Sequence, residues 1–215
     1  PYVEKLAENP NALKVGSRLF LQNCAVCHGS NAKGATGYPN LTDNDWLYGG
    51  EASNILTTLH KGRVGGMPAW RDQIGEDGVR AASEYVLSLS SDNGSKSNDE
   101  LDKTLVTQGS AIFQQNCALC HGKDGKGMIS AGAPNLTDNI WLYGGERETV
   151  RNTLRYGRAG VMPEWETKLG NERIMLVVAY VYSLSDKQAK PVKAAAPNIT
   201  ASATPVADVK TASVN

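Results

Sequence analysis

The chain has 215 residues, with 22 Lys and Arg balanced by 22 Asp and Glu. That balance gives no long-range field of the kind that draws a protein to nucleic acid or to an anionic membrane, so any docking must use a local patch. No apolar run approaches the roughly 18 residues needed to cross a bilayer, and the longest, Ile174 to Tyr182, suits a buried helix.

Residues 1–11 read as a linker or a fraying first turn. Because the chain begins Pro1-Tyr2-Val3, we expect an upstream leader or anchor. From Ala12 to Cys24, the apolar residues Leu13, Val15, Leu19, Phe20 and Leu21 fall mostly at helical spacing. Gly16 shares a face with Phe20. A mid-helix glycine costs about 1 kcal/mol against alanine, so its position there points to close approach by another helix.

The helix pattern runs into Cys24-Ala25-Val26-Cys27-His28. Two cysteines and an adjacent histidine in this order form the attachment site of a c-type haem. The thiols add across the vinyl groups, and the histidine becomes the proximal iron ligand. A zinc site would need a closed set of four ligands, and a redox dithiol would have no use for the histidine. A Gly-rich polar loop follows, then Tyr38-Pro39-Asn40-Leu41-Thr42-Asp43-Asn44 and Trp46-Leu47-Tyr48-Gly49-Gly50-Glu51. Residues 52–61 are predicted to form a helix closed by Gly62. Arg63-Val64-Gly65-Gly66-Met67-Pro68 comes next, and an apolar helix from Val79 to Leu89 ends the pattern.

All of this repeats. Gly109 and Phe113 precede Cys117-Ala118-Leu119-Cys120-His121; Pro134-Asn135-Leu136-Thr137-Asp138-Asn139 and Trp141-Leu142-Tyr143-Gly144-Gly145-Glu146 follow. A helix over 147–156 is closed by Gly157. Arg158-Ala159-Gly160-Val161-Met162-Pro163 leads to a last helix, Ile174 to Leu184. We expect the two closing helices to cross the Gly16 and Gly109 helices. The repeat divides the chain into a linker (1–11), a first domain (12–90), a second linker (91–103), a second domain (104–186) and a low-complexity tail (187–215) whose composition predicts disorder. Modules this small bury little surface, so a large covalent cofactor would supply much of each core.

An electron-carrying haem needs a second axial ligand. Met67 is the only methionine of the first copy. The second copy holds Met128, Met162 and Met175, of which Met162 matches Met67 in the repeat. Each half is therefore expected to grip its own iron, His28 with Met67 and His121 with Met162. His60 is a rival ligand for the first iron, but its counterpart is Arg155. The carbonyls of Pro39 and Pro134 are expected to accept the Nδ1–H of His28 and His121. Arg63 and Arg158 are candidates for pairing with haem propionates. Trp46 and Trp141 either reach propionates through the indole N–H or simply pack in the core.

The haem motifs, the two Pro-Asn-Leu-Thr-Asp-Asn…Trp-Leu-Tyr-Gly-Gly blocks, and Gly66-Met67-Pro68-Ala69-Trp70 with Val161-Met162-Pro163 resemble the dihaem subunit of cbb3-type cytochrome c oxidases over about residues 14–186. The resemblance implies an all-α chain of two tandem class I cytochrome c-like domains, each wrapped round one covalently bound haem c. It implies export to the periplasm and a place at the inner membrane. Electrons would come from a soluble c-type cytochrome or a quinol:cytochrome c reductase and pass through a monohaem subunit to the haem-copper subunit. Family members carry an N-terminal membrane anchor, and the long tail is outside the shared pattern. No nucleophile or acid/base pair makes the chain catalytic by itself. A free dihaem carrier, a dihaem peroxidase with an open iron face and a gas sensor are the alternatives.

Overall fold

The computed structural model describes residues 2–90 and 101–185, so the expectations for the rest of the second linker and for the tail lie outside the described residues. Helix α1 (Tyr2–Leu6) stands where a linker or a fraying first turn was expected: Val3 and Ala7 are buried in the first core, which outweighs the weak helical pattern of so short a segment. Helix α2 (Pro10–Asn23) starts where the Asn9 side chain accepts the amides of Asn11 and Ala12 at 2.9 and 3.2 Å, with Pro10 in the first turn, where its missing N–H leaves nothing unpaired. Helix α3 (Ala25–His28) carries the first histidine, and α4 (Ala52–Lys61) ends at Gly62 with φ +66°.

Strand β1 (Arg63–Met67) and helix α5 (Arg71–Leu89) complete the first half. In the second, α6 (Lys103–Asn116) is capped by Asp102, α7 (Ala118–His121) carries the second histidine, and α8 (Arg147–Tyr156) ends at Gly157. Strand β2 (Arg158–Met162) and helix α9 (Glu166–Leu184) follow. The fold is thus mainly helical but not wholly so. The two Gly-rich segments, unpaired in a sequence reading, become strands because each supplies the other's backbone partners: β1 and β2 are antiparallel, with Arg63 opposite Met162, Gly65 opposite Gly160 and Met67 opposite Arg158. Helices α5 and α9 begin well before the apolar runs that predicted them, and each is broken near its start by a left-handed glycine, Gly75 or Gly170.

The paired strands carry the chain across between two cores. Helix α9 packs on α1, α2 and α4, whereas α5 packs on α6 and α8. The first core therefore joins Phe20, Cys24, Ile55 and Leu59 to Ile174, Val177, Val178 and Val181 from the far end of the chain. The second joins Val86 and Leu87 to Phe113, Cys117 and Val150, with Val79 and Ala82 against Leu154 beside it. The closing helices do cross the Gly16 and Gly109 helices, but each crosses the one from the opposite half. A β-carbon on Gly16 would overlap the Leu176 carbonyl, and one on Gly109 the Ala81 carbonyl. The units in space thus differ from residues 12–90 and 104–186: one is built from α1–α4 and α9, the other from the continuous stretch α5–α8.

Candidate haem-binding sites

Each site begins as a change of direction. Cys24 closes α2 with its amide on the Phe20 carbonyl, and its own carbonyl then accepts from the His28 amide at 2.9 Å, so the chain turns at once into α3. Cys117 does the same between α6 and α7, with the His121 amide at 3.0 Å. This places two thiols and an imidazole on one short turn at the edge of each core. His28 and His121 are only 7% and 8% exposed.

Nδ1 of His28 lies 3.0 Å from the Pro39 carbonyl, and Nδ1 of His121 lies 3.1 Å from that of Pro134. A carbonyl can only accept, so Nδ1 carries the proton and Nε2 keeps its lone pair in the neutral ring. Burial lowers the basicity of both imidazoles, overriding the opposing pull of the proline carbonyls. The rings are thereby held as iron ligands require: neutral, in one tautomer and in one orientation.

The thiols of Cys24 and Cys117 are pushed up to about 11, by burial first and by the second cysteine of each pair next. Redox dithiols depend on the opposite shift. Among the described residues no group of three or more His, Cys, Asp or Glu side chains is placed to hold a metal ion. The residues do suit a large apolar group with acidic edges. Apolar side chains back each histidine-bearing turn on its core side, and each unit buries one indole N–H without a protein acceptor among the described residues: Trp165 in the first and Trp141 in the second. Trp46 packs on the first core as Trp141 does on the second. Trp165 was missed by the sequence reading, although Met-Pro-x-Trp recurs in both halves.

Arg63 and Arg158 are tethered alike. Nε donates to Thr58 Oγ1 or Thr153 Oγ1 at 2.9 Å, and the guanidinium lies over Tyr48 at 4.6 Å or Tyr143 at 4.4 Å. These supports, also unforeseen, hold the planar fork while leaving it N–H donors for a carboxylate. His60 is engaged elsewhere: its Nδ1 is 3.3 Å from Glu166, tying α4 to α9. Met175 packs on the first core, and Met128 is partly exposed beside a single 3-10 turn, Ile129–Ala131.

The methionines Met67 and Met162 are both partly buried, but not in the expected pairing. Met162 packs on the core that contains Cys24, and Met67 packs beside Leu154, Val79 and Ile112 in the unit that contains Cys117. The amide of Trp165 donates to Leu59 O and that of Trp70 to Leu154 O, both at 2.8 Å, which fixes the chain after each methionine to the opposite half's helix.

The family model described as cytochrome c oxidase, cbb3-type, subunit III matches residues 11–86 and 104–181. The chain is 45% identical over 183 residues to the cbb3-type cytochrome c oxidase subunit CcoP of Rubrivivax gelatinosus, an alignment covering 85% of this chain and 58% of that protein. It is 42% identical over 198 residues to the CcoP of Cereibacter sphaeroides, covering 83% and 64%. With the subunit FixP of Bradyrhizobium sp. strain ORS 278 it shares 44% identity over 179 residues, covering 79% and 60%. The chain thus spans about three fifths of the length of these relatives.

Proposed function

Because the chain belongs to the cbb3-type cytochrome c oxidase subunit III family, we propose that it carries two covalently attached haems c and relays electrons toward the catalytic core of such an oxidase. The observation that carries this reading is the Cys-x-x-Cys-His turn, present twice, whose first cysteine and histidine are buried and in which a proline carbonyl accepts from Nδ1 of the histidine and leaves Nε2 available.

Cys24 and Cys27 would tether one haem, Cys117 and Cys120 the other. His28 and Met162 would hold the iron of the first, His121 and Met67 that of the second, so residues of both halves would serve each haem. A haem iron supplies a one-electron couple whose potential its axial ligands help to set. The protein's own part is to keep both faces occupied and water away. Ligands fixed by the fold would keep the haem's coordination unchanged between oxidation states, and a neutral thioether ligand would favour the reduced state relative to a more basic donor. Arg63 and Arg158 serve the haem carboxylates, as do the indole N–H groups of Trp165 and Trp141.

In the complex, a periplasmic c-type cytochrome or a quinol:cytochrome c reductase donates to this subunit. A monohaem subunit then accepts and passes electrons to the haem-copper subunit, at the periplasmic face of the inner membrane. Among the described residues no helix is long and apolar enough to cross a membrane, so attachment depends on other subunits or on an anchor outside this sequence. The test is a haem assay with a redox titration, followed by co-purification. Two haems c per chain, two one-electron waves, a methionine-to-iron charge-transfer band and retention of a haem-copper subunit are expected. Peroxide turnover with one high-spin haem would overturn the carrier reading, and a lone chain that never binds an oxidase would point to a free dihaem carrier.

A further inference from the structure

The two units differ in buried charge where α5 and α9 meet their partner helices. On α5, Glu84 is 2% exposed. Arg147 grips its carboxylate at two points, Nε to Oε1 at 2.7 Å and NH2 to Oε2 at 3.3 Å, and Arg151 adds a contact at 3.3 Å. In the repeat, Glu84 corresponds to Ala179 on α9, which is fully buried, and Arg147 and Arg151 correspond to Ala52 and Leu56 on α4. One unit therefore closes on an ion triad where the other closes on small apolar side chains.

A direct fold, with each half closing on itself, is open to this chain. Gly62, at the end of α4, lies against the Met162–Glu164 backbone, and Gly157, at the end of α8, lies against Met67–Ala69. The strand leaving each helix thus passes close to the strand arriving there. The helix-crossing contacts are also equivalent: Phe20 meets Tyr180 as Phe113 meets Tyr85. Nor do the outer polar contacts discriminate. Glu76 pairs with Arg155 and Glu166 with His60; in a direct fold Glu76 would meet His60 and Glu166 would meet Arg155, again carboxylate against base.

The buried triad does discriminate. Direct folding would place Glu84 against Ala52 and Leu56 with no counter-charge, and an unpaired buried carboxylate is far more costly than a missed apolar contact. Arg147 and Arg151, 18% and 21% exposed, could still reach water, so the penalty falls on Glu84. We infer that Glu84, Arg147 and Arg151 dictate the crossed connectivity of this chain by making α8, rather than α4, the partner that α5 can accept.

The experiment uses the haem-loaded full chain with a specific protease site introduced within residues 91–100, which join α5 to α6. After cleavage, the two pieces of the otherwise unaltered chain remain together on size exclusion at high salt, because each core holds helices from both. Moving the arginines (Ala52→Arg, Leu56→Arg, Arg147→Ala, Arg151→Leu) or moving the carboxylate (Glu84→Ala, Ala179→Glu) makes the direct fold the matched one, and the cleaved pieces then separate, each with its own haem. Making both moves together restores the lock. If the pieces of both single-move proteins stay together as fully as those of the parent, the inference is overturned. The same holds if the combined protein falls apart while retaining its haem. The two-residue carboxylate move decides the question even if the four-residue variant does not fold. Separation of the parent's own pieces would refute the crossed packing itself.

Discussion

The ring of Phe20 lies 5.5 Å from that of Tyr180, tilted by 57°, although the two residues come from opposite ends of the described chain. Close packing there depends on Gly16, where a β-carbon would overlap the Leu176 carbonyl and come within 2.9 Å of Tyr180 Cβ. We predict that Gly16→Ala destabilises the protein by about 3 kcal/mol, the upper part of the range for overpacking, because backbone rather than a mobile side chain must move. Gly109→Ala should do the same through Ala81 and Tyr85. Thermal melts of the haem-loaded protein check both, and a melt unchanged at either site would show that the helices can part without loss.

The exchanged methionines make a spectroscopic prediction. In a chain with Cys117→Ala and Cys120→Ala, only a haem at Cys24 and Cys27 should remain attached. Met162→Ala in that background should abolish its near-infrared methionine-to-iron band, and Met67→Ala should leave the band in place. The converse result would reinstate pairing within each half. Survival of the band in both would exclude either methionine as ligand.

The buried triad predicts unequal costs. Arg147→Ala with Arg151→Leu strands Glu84 and should cost about 3–5 kcal/mol, the range for an orphaned buried charge. Adding Glu84→Ala, which copies the residues of the other unit, should recover most of that loss. Denaturant titration of the three proteins measures it; equal stability of the double and triple variants would mean that Glu84 finds another partner.

Asp45 predicts a pH dependence. It stands where the second half has Ile140, close to Asp138 and Asp43. Burial first, then those two carboxylates, pushes its carboxyl up to about 6. With the folded-state pKa raised, this group contributes most below about pH 4, where it is protonated folded and unfolded alike. Its contribution declines as pH rises through the folded value and is constant above it. Asp45→Asn should therefore raise the melting temperature at pH 7.5 and make almost no difference at pH 3.5. A gain of equal size at both values would show that charge is not the cause.

The elements most legible from sequence were those with a local cause. The Cys-x-x-Cys-His turns declare themselves by spacing, the Gly62 and Gly157 helix ends by the need for positive φ, and the Pro39 and Pro134 carbonyls by repeat position. What escaped was partner choice. Apolar spacing on α5 and α9 says that each buries a face, but Tyr85 and Tyr180 are interchangeable as patterns, so nothing local reveals which glycine helix each will meet. The discriminating signal was a departure from the repeat, Glu84 against Ala179. Strands β1 and β2 were hidden for a related reason: glycine-rich segments have little intrinsic strand preference and pair here because two of them pass each other. The α1 helix escaped because the core that buries Val3 and Ala7 includes α9, from the far end of the chain.

Since α5 to α8 form one uninterrupted stretch while α1 to α4 wait for α9, the order of synthesis imposes a schedule. As the polypeptide emerges from its N-terminus, the earlier haem motif is delivered first yet enclosed last, after the later one already has every helix it needs. The segment around Cys24 thus stays uncovered for longest, and closing a loop that spans the whole intervening unit should be the slow step of folding.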